Sequence, residues 1–328
     1  MALLVTGAMG HVGLEVVRQA ALRGHEVIAL RRETFDADSI QSVGDRVVWV
    51  QADLADEAAV DALVTDHKID GAIHPAAVPN DNVARKDPLA AVRSNVMAAA
   101  VLLDAARRHR FRRVINVSTG SVFQDASDHS QPVLESRRPA VTNIYSTTKA
   151  CGEMLVDMYA RELAVSAATV RISWVYGPPL VPVVRDHPRG PIPWFLRCAL
   201  SGVAIDDGSG RDFQASYTHV SDVAAGLLAA YEADRLNHTV YHLGSGRNYT
   251  TADVMRAVEA AVPGARLRVG PGTAPYTDHT GMRGPLSGDR LFEDTGFRPR
   301  LDLDAGIAAF ADWMRNNRAR WQGTRGTA

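Results

Sequence analysis

The chain has 328 residues, enough to bury a core without disulfide or metal staples and, by length alone, enough for about two domains. Apolar residues make up 46% and charged residues 22%, a globular composition that excludes a mainly disordered chain. The 36 basic side chains nearly cancel the 37 acidic ones, so no global field supports a nucleic-acid partner.

Cys151 and Cys198 are the two cysteines, too few for a disulfide framework and suited to a reducing compartment. Ala2-Leu3-Leu4-Val5 precedes Thr6-Gly7 without a basic flank, too short for a signal peptide. The longest apolar run, Val96 to Leu103, falls short of the roughly 20 residues that span a bilayer. The expectation is a cytoplasmic protein of enzyme size, with no membrane or nucleic-acid partner.

The first predicted element is a buried strand at Leu3-Leu4-Val5. A helix follows over residues 11–23, with Val12, Val16 and Ala20 on one face and Gly24 as its stop. Strands are expected at 27–30, 47–50, 71–73, 114–117 and 168–172, and helices at 58–66, 96–108 and 145–163. Strands alternating with helices over short connections give a parallel sheet covered on both faces. After Tyr176 the pattern changes to a stretch rich in Pro, Gly and Arg. Helices are then expected at 194–201, 219–232, 251–262 and 304–317, with one strand at 240–243. Residues 270–285 read as a loop too irregular to pack, and Arg318 onward as a frayed tail. The predicted fold is α/β: a doubly wound parallel (Rossmann) sheet with a smaller α/β substrate domain. Residues 1–176 and 216–245 are assigned to the first, and residues 177–215 and 246–328 to the second.

The segment Thr6-Gly7-Ala8-Met9-Gly10-His11-Val12-Gly13 lies between the first strand and the first helix. Glycines there permit a tight turn, close approach to a pyrophosphate and tight helix–strand packing, and the helix N-terminus offers free N–H groups to an anion. The strand–turn–helix context is what such a motif requires. At the end of the second strand, where NAD sites carry an acid for the ribose 2′-hydroxyl, the sequence has Arg31-Arg32. Two guanidinium forks suit a 2′-phosphate, so NADP is favoured, with NAD as the alternative. Asp53 is placed either against the adenine amino group or as a helix N-cap.

Tyr145-Ser-Thr-Thr-Lys149 puts a phenol and an ammonium one turn apart on a helix. A cation about 5 Å away, at an effective dielectric near 20, favours the phenolate by roughly 3 kcal/mol, about two pKa units. Tyr145 then exchanges a proton with an alcohol or ketone near neutrality. The chain has eight tyrosines but only three lysines, Lys68, Lys86 and Lys149, so the spacing is a rare coincidence. Val117-Ser-Thr-Gly-Ser121 ends a parallel strand on the side where ligands bind, which offers hydroxyls for a substrate oxygen.

These motifs, with Ala52-Asp53-Leu54, His74-Pro-Ala-Ala77, Asn95, Tyr176-Gly-Pro178, His219-Val-Ser-Asp222 and Leu243-Gly-Ser-Gly246, make the chain resemble the extended short-chain dehydrogenase/reductase, or NAD-dependent epimerase/dehydratase, family over nearly its whole length. The resemblance implies Thr119 as substrate hydrogen-bond partner, Tyr145 as acid/base and Lys149 as ribose ligand and pKa modifier. It also implies a cofactor site comprising Gly7, Met9, Gly10, His11, Val12, Gly13, Arg31, Arg32, Asp53, Leu54, Ala76, Ala77 and Asn95, and a homodimer formed through the 96–108 and 145–163 helices. The implied activity is hydride transfer to or from a secondary alcohol or ketone of a small sugar-like or acidic metabolite. A sugar or nucleotide-sugar epimerase is the alternative, and a non-catalytic NADP sensor is the remote one.

Departures from the family pattern narrow this reading. The family's dehydratases carry an Asp-Glu pair after the catalytic hydroxyl residue, but here Gly120-Ser121 follow Thr119, so dehydration is not expected. Trp174 and Ala215 stand where nucleotide-sugar members often have Asn and Arg, which weakens the nucleotide-sugar reading, with Arg211 as a substitute for the missing Arg. Ser121, Arg185, His187 and Arg189 are the candidate substrate contacts, the last three being suited to an anionic group. No metal site is expected.

Overall fold

A computed structural model describes residues 1–31, 46–124, 129–180, 190–276 and 280–322. Arg32, Arg185, His187 and Arg189 lie outside the described residues. Seven strands form one sheet: β1 (Ala2–Val5), β2 (Val27–Arg31), β3 (Val47–Gln51), β4 (Ile69–His74), β5 (Arg113–Thr119), β6 (Ala167–Ile172) and a last strand, Val240–Leu243. Their order is Val240–Leu243, β6, β5, β4, β1, β2, β3, and every pairing is parallel. The chain runs outward from β1 in both directions, so the crevice for a ligand opens between the carboxyl ends of β1 and β4. The inner strands are apolar on both faces because helices cover both.

On one face, Val16, Val17 and Ala20 of the His11–Leu22 helix pack with Val223 and Leu227 of the Val220–Glu232 helix. On the other, Leu63, Leu102 and Val156 come from helices Glu57–His67, Ala98–Arg108 and Ile144–Glu162. A further core joins helices Pro191–Leu200, Thr251–Ala261 and Leu303–Asn316 through Phe195, Val258 and Phe310. Three two-stranded pairs surround it, too short for periodicity to announce them.

The structure differs from the sequence expectation at several places. The 96–108 helix begins earlier: Asp87 caps Pro88, and the chain continues through a π turn at Arg93–Met97 to Arg108. The resulting 21-residue helix is long and apolar enough to cross a membrane, yet Leu102 and Leu103 lie in the sheet core. The tail from Arg318 forms a short helix through Gln322 instead of fraying, because Trp321 is buried and donates to the Met314 carbonyl. The loop at 270–285 also packs, as far as it is described. Val133 N–H donates to the Pro285 carbonyl, and Leu286 joins Val122, Phe123 and Val133 in a small core. Glycines there serve close packing: a Cβ at Gly284 would lie 2.1 Å from the Gln131 carbonyl oxygen.

Candidate functional site

The glycine loop leaves β1 at the crevice. Gly7 has φ +55°, and a Cβ there would sit 2.7 Å from Ala76 Cα, so the loop presses against the chain leaving β4. A Cβ on Gly13 would lie 2.1 Å from the Gly7 carbonyl oxygen, which seats the helix directly on the turn. Gly10 is the helix N-cap and supplies no side-chain acceptor; the first turn has no acidic residue either. Its N–H groups and partial positive charge are thus available to an anion. Thr6 Oγ1 bonds His74 Nδ1 at 2.8 Å and accepts from Ala76 N–H at 3.3 Å, tying the two strand ends together. Burial, and then the Lys149 charge, hold His74 down at about 3, so it is neutral across physiological pH. These features fit a dinucleotide pyrophosphate.

The other predicted cofactor residues fall around this loop. Met9 and Val12 pack against the sheet core. His11 Nε2 bonds the Gly177 carbonyl at 2.9 Å, linking the loop to the chain after Tyr176. Arg31 ends β2, and Ala76 and Ala77 follow β4, all half-buried. Leu54 is buried. Asp53 is not the N-cap: that role falls to Asp56, which accepts from Ala59 N–H. Asp53 instead accepts from Ala55 N–H at 2.9 Å, with Arg93 at 3.6 Å. Asn95 lies in the π turn, 2% exposed. Its Oδ1 accepts from Val78 N–H at 2.7 Å and its Nδ2 donates to Thr148 Oγ1 at 2.9 Å. It thereby fixes the chain after β4 to the helix that carries Tyr145 and Lys149. Its described bonds make it a positioning residue.

That helix starts at a reciprocal cap between Asn143 and Ser146, which sets Tyr145 in its first turn. Tyr145 N–H donates to Asp81 Oδ1 at 3.3 Å, and its ring packs beside Val78, Ala84 and Ala91. Lys149, one turn on, is 4% exposed; burial lowers its ammonium to about 8, while Glu153 partly opposes the drop. Glu153 also accepts from Ser118 Oγ and forms a buried ion pair with Arg171, Nη2 to Oε2 at 2.6 Å. Strand alternation therefore divides the two hydroxyls: Ser118 points into this charge network and Thr119 into the crevice. Thr119 Oγ1 accepts from Ser121 N–H at 3.1 Å, which leaves its O–H proton available to a ligand.

A cavity beside Thr119 is lined by Ser121, Ser173, Trp174, Ala215 and Arg283, among others. Trp174 stacks on buried Tyr217 with centroids 5.7 Å apart and planes 5° apart. His219 is a helix cap, accepting from Ser221 N–H. Sequence reasoning missed Arg283 because it sits in a segment with no periodicity. Burial lowers its guanidinium to about 10, and the Tyr145 phenol works the other way, placing the two groups within electrostatic reach. Among the described residues no cluster of His, Cys, Asp and Glu suits a metal ion.

A parallel sheet with a glycine cradle at its topological switch point, and a Thr–Tyr–Lys set beside it, defines a nicotinamide-dependent enzyme of the doubly wound class. The sequence profile of the NAD dependent epimerase/dehydratase family matches residues 3–244, and the chain belongs to that family. It is 32% identical to a dTDP-glucose 4,6-dehydratase of Streptomyces antibioticus, over 98% of this chain and 95% of the relative. The fold is also that of a Thermotoga maritima UDP-glucose 4-epimerase solved with UDP-glucose, at 21% identity and a TM-score of 0.84, covering 96% of this chain and 99% of that one. MoeE5, solved with UDP-glucuronic acid and NAD, matches at 25% identity and a TM-score of 0.79, with 96% and 99% covered.

Proposed function

We propose that the enzyme moves a hydride between a nicotinamide dinucleotide and a secondary alcohol or ketone of a sugar-like or acidic metabolite. Bound in the glycine cradle, the cofactor supplies the hydride donor or acceptor. Thr119 holds the substrate oxygen, Tyr145 moves its proton, and Lys149 contacts the cofactor ribose and biases the phenol toward its anion. The observation that carries this reading is the single helix bearing Tyr145 and Lys149, joined through Glu153 to Ser118, the neighbour of Thr119, and through Thr148 to Asn95 and the cradle wall.

Replacing Tyr145 with Phe should lower turnover by about 10²–10⁴-fold and leave cofactor affinity nearly unchanged. Retained turnover would overturn the assignment. Elimination of water is disfavoured, because Gly120 and Ser121 offer no carboxyl acid and base beside Thr119. Formation of a dehydrated keto product would reverse that judgement. Net oxidation and epimerisation use the same three residues, and analysis of the released sugar separates them.

Arg31, with Arg32, favours NADP by charge, whereas MoeE5 was solved with NAD. Competitive titration with NADPH and NADH decides; tighter NADH binding would defeat the arginine argument. We also assign a homodimer through the two long helices, with the cytoplasm as its compartment. Leu89, Val92 and Met97 on one helix and Met154 and Met158 on the other are exposed apolar side chains, the kind of surface a subunit interface covers.

A further inference from the structure

The Thr119 cavity contains one charged side chain among its described lining residues. Thr119, Ser121, Ser173, Gln214 and Ser216 are neutral, and no carboxylate lines it. The charge is Arg283. Its Nη1 is buried and has no hydrogen-bond partner, although the Arg283 carbonyl accepts from Asn248 Nδ2 at 2.7 Å. Arg283 as a whole is half-buried, but a guanidinium N–H shut away without an acceptor is costly, and such a group is normally paired with a carboxylate or phosphate. The fold holds it there regardless. Gly284 is pinned against the Gln131 carbonyl and Leu286 is locked in a small core, so the backbone on the C-terminal side of Arg283 is rigid. The side chain is thus a preorganised fork in the cavity wall, of the shape that suits an anionic oxygen group.

We propose that Arg283 is a specificity-determining residue that binds an anionic oxygen group, carboxylate or phosphate ester, carried on the sugar-like unit of the substrate near the reacting carbon. This rests on the oxidoreductase reading above, because Thr119 in the same cavity marks where the reacting oxygen sits. It places the anion on the reacting unit, not on a diphosphate linkage. It also makes the substrate an acidic metabolite.

The test is ligand binding to the cofactor-loaded protein by calorimetry, which does not depend on turnover. The probes are D-glucuronate, D-glucose 6-phosphate and D-glucose, then UDP-glucuronate, UDP-glucose and UDP. Wild type should bind at least one acidic probe more tightly than its neutral partner; glucuronate and glucose 6-phosphate separate the carboxylate source from the phosphate ester. Arg283→Gln should cut that acidic affinity on the order of 10- to 100-fold, the range for a hydrogen bond to a charged group, and leave the neutral probe nearly unchanged. Arg283→Lys should recover part of it. Unchanged cofactor affinity in both variants shows that the fold and cradle are intact.

Three results would overturn the proposal: no acidic probe binding better than its neutral counterpart, equal losses for acidic and neutral probes in Arg283→Gln, or losses that track UDP itself. The last would reassign Arg283 to a diphosphate. Failure of the underlying reading looks different. Tyr145→Phe would then keep turnover, whatever Arg283 binds.

Discussion

Replacing Lys149 with Met should make the apoprotein more stable at neutral pH while removing the cation proposed to bias Tyr145. Lys149 is 4% exposed, and burial holds its ammonium at about 8 against an ordinary 10.5. That gap corresponds to about 3 kcal/mol, the penalty the folded state carries for keeping the charge. Its sign follows from proton counting. Between the two values the unfolded chain holds the lysine proton and the folded chain releases it, so wild-type stability rises with pH across that window. Below about 8 the penalty is complete. Met is close to Lys in volume and carries no charge, so the variant should gain about 3 kcal/mol at neutral pH, and the gain should vanish as pH passes the unfolded value. Urea unfolding of both proteins from neutral to strongly alkaline pH measures this directly. Taking the difference between the two curves cancels the titrating groups that do not sense Lys149, and His74, which does, stays neutral over this range. A pH-independent difference, or a wild type that stays the more stable at neutral pH, would refute the burial argument. Turnover should fall sharply in the same variant, the stability–activity conflict expected where a charge is buried for chemistry.

Glu153→Gln leaves Arg171 buried without its counter-charge, and unfolding should show a loss of about 3–5 kcal/mol, as for other broken buried pairs. Removing Glu153 should also lower Lys149 further, because the carboxylate raises it, and the acidic limb of a lysine-directed labelling profile should move down in pH. Gly13→Ala puts a methyl 2.1 Å from the Gly7 carbonyl oxygen; the cradle must open, and cofactor titration should show affinity reduced by at least about tenfold with the fold retained. Met97→Glu combined with Met154→Glu should yield monomers in sedimentation if the exposed apolar helices form the subunit interface.

Some of this protein is local in origin and therefore legible in its sequence. The alternation of apolar runs with 3.6-periodic segments yields the parallel sheet, because each strand and each helix buries its own stripe. The Gly7–Gly13 loop and the Tyr145–Lys149 pair are each contiguous, so their spacing alone marks them as candidates. Other features exist only when distant segments meet. Asn95 acts by joining Val78 to Thr148. Ser118 and Thr119 are chemically alike, and only strand register sends one to Glu153 and the other to the cavity. Asp53 reads as a helix cap in sequence, but the helix starts at Glu57 and Asp56 caps it. Arg283 lies in a segment with no periodic pattern, over 130 residues from Tyr145. A pairing across that separation leaves no trace in local composition. It is fixed by backbone packing around Gly284 and Leu286, and so only the tertiary structure placed a cation in the Thr119 cavity.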